Sequence, residues 1–331
     1  MATSRKTLVN QAIRFENPER IPIVFWNCDQ TEGDVLLYHL SRGVPGDGTA
    51  LENVWDWQTN EWGYHLESMD DGTMGHPIQA VWKELPAPGE IQAPPLREEE
   101  RMHAVPSFVK LCEDRYRLAS LDLSGFTIYT FMRGFENAMQ DFLLEPDRFE
   151  PLMDLIMNFE CDLMTMAARH GFHGIHFADD WATQAGMIIS PTMWRELFKP
   201  RYQRQFDHAH ALGLHVWYHC CGNLTDIAAD FHEIGVDVLN ISQPNVVDLD
   251  RVSRELRGRQ CFMMPISYQT VSIQGTPDDI LHEAERMYRL LGTQTGGFVG
   301  YVEEYGCMGM TRENYLACGQ AFRRLSTRLL S

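Results

Sequence analysis

The chain has no apolar run approaching the roughly 20 residues that would span a bilayer, and its opening, Met1 to Asn10, lacks the apolar centre of a secretory leader. Both absences predict a cytoplasmic protein that meets no membrane. Positive charge is scarce: 28 Lys and Arg stand against 46 Asp and Glu, a formal net charge of −18. Nucleic-acid affinity comes mainly from clustered Lys and Arg, so the balance argues against a phosphate-backbone partner and leaves room for a protein partner with a basic patch. Cysteine is sparse, eight irregularly placed in 331 residues. A chain of this length buries enough surface to fold without staples, so reduced thiols are expected and a disulfide framework is not. No Gly-rich turn follows the first apolar strand, which argues against a doubly wound dinucleotide-binding sheet. No repeat of fixed period and no long low-complexity segment is present.

What is present reads as one α/β domain. Hydrophobic residues make up 44% and charged residues 22%, ordinary for a globular protein. Short β-rich runs alternate with longer stretches of helical period, the signature of parallel βα units. The strands read from the sequence are Ile21–Trp26, Phe126–Phe131, Gly174–Asp180, Leu214–Cys221, Val236–Ser242, Cys261–Ser267 and Gly297–Val302. Helices are expected over Pro146–Ala168, Pro191–Leu212, Leu224–Glu233 and Pro277–Leu291, the last announced by Thr276 as N-cap, then Pro277 and two acids. Seven visible strands and a hidden eighth predict a TIM-type (β/α)8 barrel spanning residues 1–331. Residues of about 55–125, with Trp55, Trp57, Trp62 and a Pro-rich passage, read as an insertion covering one mouth.

The sharpest local signal is Val216-Trp217-Tyr218-His219-Cys220-Cys221-Gly222-Asn223. Strand residues two apart face the same way, so His219 and Cys221 project together and Cys220 to the opposite side. Gly222 then permits a sharp turn at the strand end, where the active sites of α/β barrels collect. A third soft ligand is offered by Cys307, in the loop after the last strand. His219, Cys221 and Cys307 would make a three-ligand zinc site with one open position. Geometry alone leaves this open beside a blander reading, a small core Cys next to a hydrogen-bonded His.

Several motifs resemble the uroporphyrinogen decarboxylase superfamily over nearly the whole chain. They are Asn17-Pro18-Glu19-Arg20-Ile21-Pro22, Arg133-Gly134-Phe135-Glu136-Asn137, Asp179-Asp180-Trp181-Ala182-Thr183-Gln184, Ser190-Pro191 with Trp194-Arg195-Glu196, His219-x-Cys221-Gly222, and Gly306-Cys307 with Thr311-x-Glu313-Asn314. The His/Cys/Cys set resembles the corrinoid-dependent zinc methyltransferase branch. The decarboxylase proper carries an Arg-rich segment after its first strand to pair tetrapyrrole carboxylates; here Trp26-Asn27-Cys28-Asp29-Gln30 stands instead, so a poly-anionic substrate would be left unpaired. Relatives also carry Asp-x-Gln where this chain has Ser267-Tyr268-Gln269, so no role passes to that acid.

The resemblance implies a methyltransferase that uses Zn2+ and exchanges a methyl group with a corrinoid. No Asp-x-His-x-x-Gly cobalamin motif occurs here, so the corrinoid is expected on a separate protein. The segments around Trp26-Asn27 and Glu61-Trp62-Gly63 look like those of O-demethylase components and favour a methoxylated aromatic as the small-molecule methyl donor. Methylcobamide transfer to a thiol or tetrahydrofolate is the alternative, and a decarboxylase or lyase on the same barrel is the alternative of another class. Asp180 and Glu303 are candidate catalytic acids, Asp180 weighed against helix capping and Glu303 against a solvated loop acid. Trp26, Asn27 and Tyr301 are candidate substrate contacts at strand ends. The number of copies in the assembly is left open, a homo-oligomer included.

Overall fold

The computed structural model describes residues 3–26, 29–40, 60–67, 75–111, 113–304 and 309–329. Eight parallel strands run β1 (Ile23–Phe25), β2 (Val35–His39), β3 (Tyr116–Leu123), β4 (Gly174–Ala178), β5 (His215–Cys220), β6 (Val238–Ile241), β7 (Cys261–Pro265) and β8 (Phe298–Val302). Hydrogen-bonded neighbours follow the order β1-β8-β7-β6-β5-β4-β3-β2, which brings the two ends of the sheet together into a nearly closed TIM-type barrel wrapped by helices. The seam between β1 and β2 carries no ladder and is joined through Asp34. Its N–H donates to the Ile23 carbonyl at 2.8 Å, while its carboxylate accepts the Ile23 N–H at 2.8 Å and an Arg20 N–H at 2.7 Å.

Two hydrophobic layers hold the fold. The larger lies between strands and helices and includes Phe177, Tyr218 and Cys220. The smaller fills the barrel with Val24, Val35, Leu37, Leu118, Trp217, Val238, Met263 and Val299, and the helix Arg5–Arg14 closes its lower end with Val9 and Ile13. The helix Pro277–Leu291 has the expected boundaries, fixed by a reciprocal capping box between Thr276 and Asp279. The single helix expected over Pro191–Leu212 is two, Pro191–Leu197 and Lys199–Ala211, broken at Phe198 where Pro200 opens the second.

Two readings of the first half need correction. Phe126–Phe131 belongs to a helix, Gly125–Arg133, and the strand before it is Tyr116–Leu123; the hidden strand is Val35–His39. Aromatic and β-branched residues favour strands where one face packs, but this segment is buried nearly all round and takes a cap from far along the chain. The Asp179 carboxylate accepts the Phe126 and Thr127 N–H groups at 2.9 and 2.7 Å, satisfying donors that helix termini leave orphaned. The barrel therefore resumes at Tyr116, inside the stretch read as insertion. In the described part of that insertion, Trp62 packs edge-on against Phe159 and Trp82 against Tyr129.

Candidate metal centre

Because all eight strands run parallel, their C-terminal ends meet at one mouth. β4 and β5 lie in register there, with His176 opposite Trp217 and Ala178 opposite His219. Alternation turns Phe177, Tyr218 and Cys220 to the helices and His219 inward; one residue past the strand, Cys221 returns to the inner side. The His219 Nε2 lies 3.4 Å from the Cys221 Sγ and 3.9 Å from the Asp180 Oδ1. One ligand atom from each of these three residues lies within 4.8 Å of the others. The Cys221 N–H donates to the Asp180 Oδ1 at 2.7 Å, tying the loop after β4 to the loop after β5.

The turn that sets Cys221 needs its glycine. Gly222 has φ +78, and a Cβ there would stand 2.2 Å from the Ala182 carbonyl oxygen. The imidazole is oriented from behind. Asn240 on β6 donates its Nδ2 to the Met263 carbonyl at 2.8 Å, which leaves its Oδ1 facing the His219 Nδ1 at 2.6 Å. This network assigns the ring proton to Nδ1 and aims the Nε2 lone pair at Asp180 and Cys221, the arrangement that metal-binding histidines need.

Burial pushes the Cys221 thiol well above its ordinary value, and the neighbouring Asp180 adds to the shift, while a hydrogen bond with Ser242 opposes it. Burial also raises the Glu303 carboxyl, with the Tyr301 hydroxyl and the Glu304 N–H opposing. Among the described residues no Lys or Arg pairs with Asp180 or Glu303. Imidazole nitrogen, thiol sulfur and carboxylate oxygen converging without a neighbouring cation fit a borderline-soft dication such as Zn2+, which would also draw the proton from the thiol.

Of the other residues singled out from the sequence, Trp26 and Tyr301 meet with ring centroids 5.8 Å apart. The Tyr301 hydroxyl donates to Glu303 at 3.1 Å, bringing that acid to the same mouth. Asn27 and Cys307 lie outside the described residues. Sequence reasoning passed over His176, Asn240, the Ser242–Tyr268 hydroxyl pair at 2.5 Å, and a close buried pair between the His39 Nδ1 and the Asp122 carboxylate. Strand parity held a signal for two of them: His176 shares the inward phase of Asp180, and Asn240 is the residue of β6 opposite His219.

Fold and site together define an α/β barrel whose C-terminal mouth carries a nitrogen, sulfur and oxygen donor set. Residues 79–313 match the uroporphyrinogen decarboxylase (URO-D) family, and the chain belongs to that family. Among solved structures it is similar to a methyltransferase from Methanosarcina mazei, at 15% identity and TM-score 0.75, over 98% of this chain and 99% of that one. A looser likeness, TM-score 0.43 at 10% identity, joins 73% of this chain to 84% of an endo-β-1,4-xylanase from Gloeophyllum trabeum. No curated protein sequence matches the chain. No helix among the described residues is long and apolar enough to cross a membrane.

Proposed function

We propose that this protein is a zinc-dependent methyltransferase. In the cytoplasm it would move a methyl group between a small substrate, in the favoured case a methoxylated aromatic undergoing O-demethylation, and the cobalt of a corrinoid carried by a separate protein. The observation that carries the reading is the convergence of the His219 Nε2, the Cys221 Sγ and an Asp180 oxygen, with Asn240 fixing the imidazole. Membership of the URO-D family and the fold shared with a Methanosarcina mazei methyltransferase support it. His219 and Cys221 would hold the zinc, with Cys307 as the third protein ligand and Asp180 beside them. Bound there, zinc would polarise the heteroatom that carries the methyl group, or hold a thiol substrate as its thiolate.

The chain's own residues supply the rest. Trp26, half-buried against Tyr301, offers an aromatic face for a flat substrate. Glu303, kept towards its protonated form by burial, is placed to give a proton to the released oxygen, and Tyr301 orients it. Methyl transfer to a thiol or tetrahydrofolate would use the same metal. Family membership favours one reading of another class, a decarboxylase or lyase. The mouth opposes it, because Asp180, with no Lys or Arg partner among the described residues, would repel a polycarboxylate.

The test begins with elemental analysis. Purified protein should hold about one zinc per chain, and Ala substitution of His219, Cys221 or Cys307 should each weaken retention, since an open site has no spare ligand. Full zinc occupancy in Cys307→Ala would remove that residue from the site. The protein should be colourless and should form methylcobamide from a methoxyphenol only when a cob(I)amide carrier is added. A stoichiometric corrinoid spectrum would end the separate-carrier idea, and activity without zinc would restore the decarboxylase or lyase. Sedimentation would show whether the active form is a homo-oligomer.

A further inference from the structure

Inside the barrel, one step below the metal-binding residues, a histidine is left half used. His176 is 1% exposed. Its Nδ1 lies 3.2 Å from the Ser120 Oγ, and that oxygen already accepts the Asp122 N–H at 3.0 Å. The serine's own proton is thereby free to donate to Nδ1, which puts the single imidazole proton on Nε2. The Nε2 is buried and meets no hydrogen-bond partner among the described residues. Such a group is costly to leave unanswered, by more than a typical hydrogen bond contributes. The ring lies 5.0 Å from Trp26 and 6.2 Å from His219, centroid to centroid, between an aromatic wall of the site and a zinc ligand.

A second, independent feature marks the same spot. Asp122, whose N–H holds Ser120, sits at φ +61 in a register shift between β3 and β4. A non-glycine residue in this left-handed region is strained, and bulges of this kind re-aim side chains beside active sites. The strain here turns the Asp122 carboxylate onto His39 and its N–H onto Ser120, fixing the hydroxyl that in turn sets His176.

We propose that His176 is a specificity-determining residue whose Nε2–H donates a hydrogen bond to an uncharged second oxygen of the substrate. The proposal rests on the methyltransferase reading and deepens it. The preferred substrate is an arene that lies along Trp26 and carries two oxygens, one bearing the methyl group at the metal and one reaching the barrel floor. The second oxygen is uncharged because the Asp122 and Asp180 carboxylates stand nearby. The hydrogen bond from Ser120 to Nδ1 leaves Nε2–H as the ring's donor, and that is the role assigned to His176.

The test is equilibrium binding to the zinc-loaded, full-length protein, followed by calorimetry with three probes: 3-methoxyphenol, methoxybenzene and toluene. Wild type should prefer 3-methoxyphenol over methoxybenzene by about tenfold, the worth of one satisfied buried donor. His176→Leu should bring that ratio to about one while leaving toluene affinity unchanged, and His176→Gln, which keeps a donor, should restore part of it. Toluene affinity separates this from a structural role: His176→Leu removes the unanswered Nε2 but leaves the Ser120 hydroxyl without its acceptor, so the protein should melt somewhat lower while toluene affinity holds. An unchanged ratio in His176→Leu would mean that water answers Nε2 and would overturn the proposal, as would failure of all three arenes to bind. Loss of zinc binding with an intact ratio would instead count against the metal reading alone.

Discussion

Two tiers of the barrel interior are built by the same strands and do opposite work. The lower tier takes Val24, Leu37, Leu118, Trp217, Val238 and Val299, sealed beneath by Val9 and Ile13 of the first helix. The upper tier takes the residue two further along each of those strands: Trp26, His39, Ser120, His219, Asn240 and Tyr301. Side chains alternate with period two, so one step of two residues keeps the inward direction and moves about 7 Å up the barrel axis at most. Over that step the interior changes from an apolar plug to a hydrogen-bonded polar floor. In this architecture the packed layers stabilise the barrel and the C-terminal mouth is where active sites lie, and the two tiers fall on either side of that division.

The largest effect should come from breaking the lower tier. Trp217→Ala should cost about 3–5 kcal/mol in urea unfolding, because the indole is fully buried and donates to the Tyr116 hydroxyl at 3.3 Å. Zinc content per folded chain should stay near one. The converse experiment removes only the zinc proposed for the upper tier. If its Lewis-acid action supplies ~4 kcal/mol at the transition state, chelation should slow methylcobamide formation roughly a thousandfold, while circular dichroism melting changes little. Collapse of the fold on chelation would erase the distinction between the tiers.

Smaller changes sharpen the comparison. Asn240→Leu should weaken zinc affinity by about 10–100-fold in a chelator competition, as loss of a partner behind a ligand does, since the His219 Nδ1 loses its acceptor. Outside the strand wall, burial raises the Glu160 carboxyl to a pKa of about 8 from an ordinary 4.5. The folded chain then keeps a proton that the unfolded chain has released, so stability should fall as pH rises from about 4.5 to 8. Melting temperature should be lower at the upper end of that window, and Glu160→Gln should flatten the slope. The smallest effect is expected from Cys220→Ala, about 1 kcal/mol with zinc fully retained, because its sulfur packs against the helices on the far side of the strand from His219.

The second half of the barrel was legible residue by residue, and the first half was not. β4 to β8 are short apolar runs bounded by Gly, Asp or Pro, and all five lie within the expected strands. β3 reads Tyr-Arg-Leu-Ala-Ser-Leu-Asp-Leu, with polar groups on its inner phase that serve the upper tier, so it lacks a buried strand's apolar signature. The aromatic segment after it has that signature and is a helix. At the site, the shared direction of His219 and Cys221 followed from strand parity. The partners of His176 and Asn240 did not, since they come from neighbouring strands tens of residues away.

The sequence by itself determined the fold class, the alternation that sends His219 inward and Cys220 outward, and the glycine that turns the chain after Cys221. These follow from periodicity and backbone sterics, which act over a few residues. Only the tertiary structure decided that Gly125–Arg133 is helical, that Asp180 stands beside His219 and Cys221, and that His176 keeps an unanswered donor at the barrel floor. Each depends on groups far apart in the chain: the Asp179 carboxylate that caps the helix, the loop of β4 that meets the loop of β5, and a serine on β3 that takes one side of an imidazole on β4. Barrel closure is what brings them together, and no local pattern encodes which strand ends will face one another across the axis.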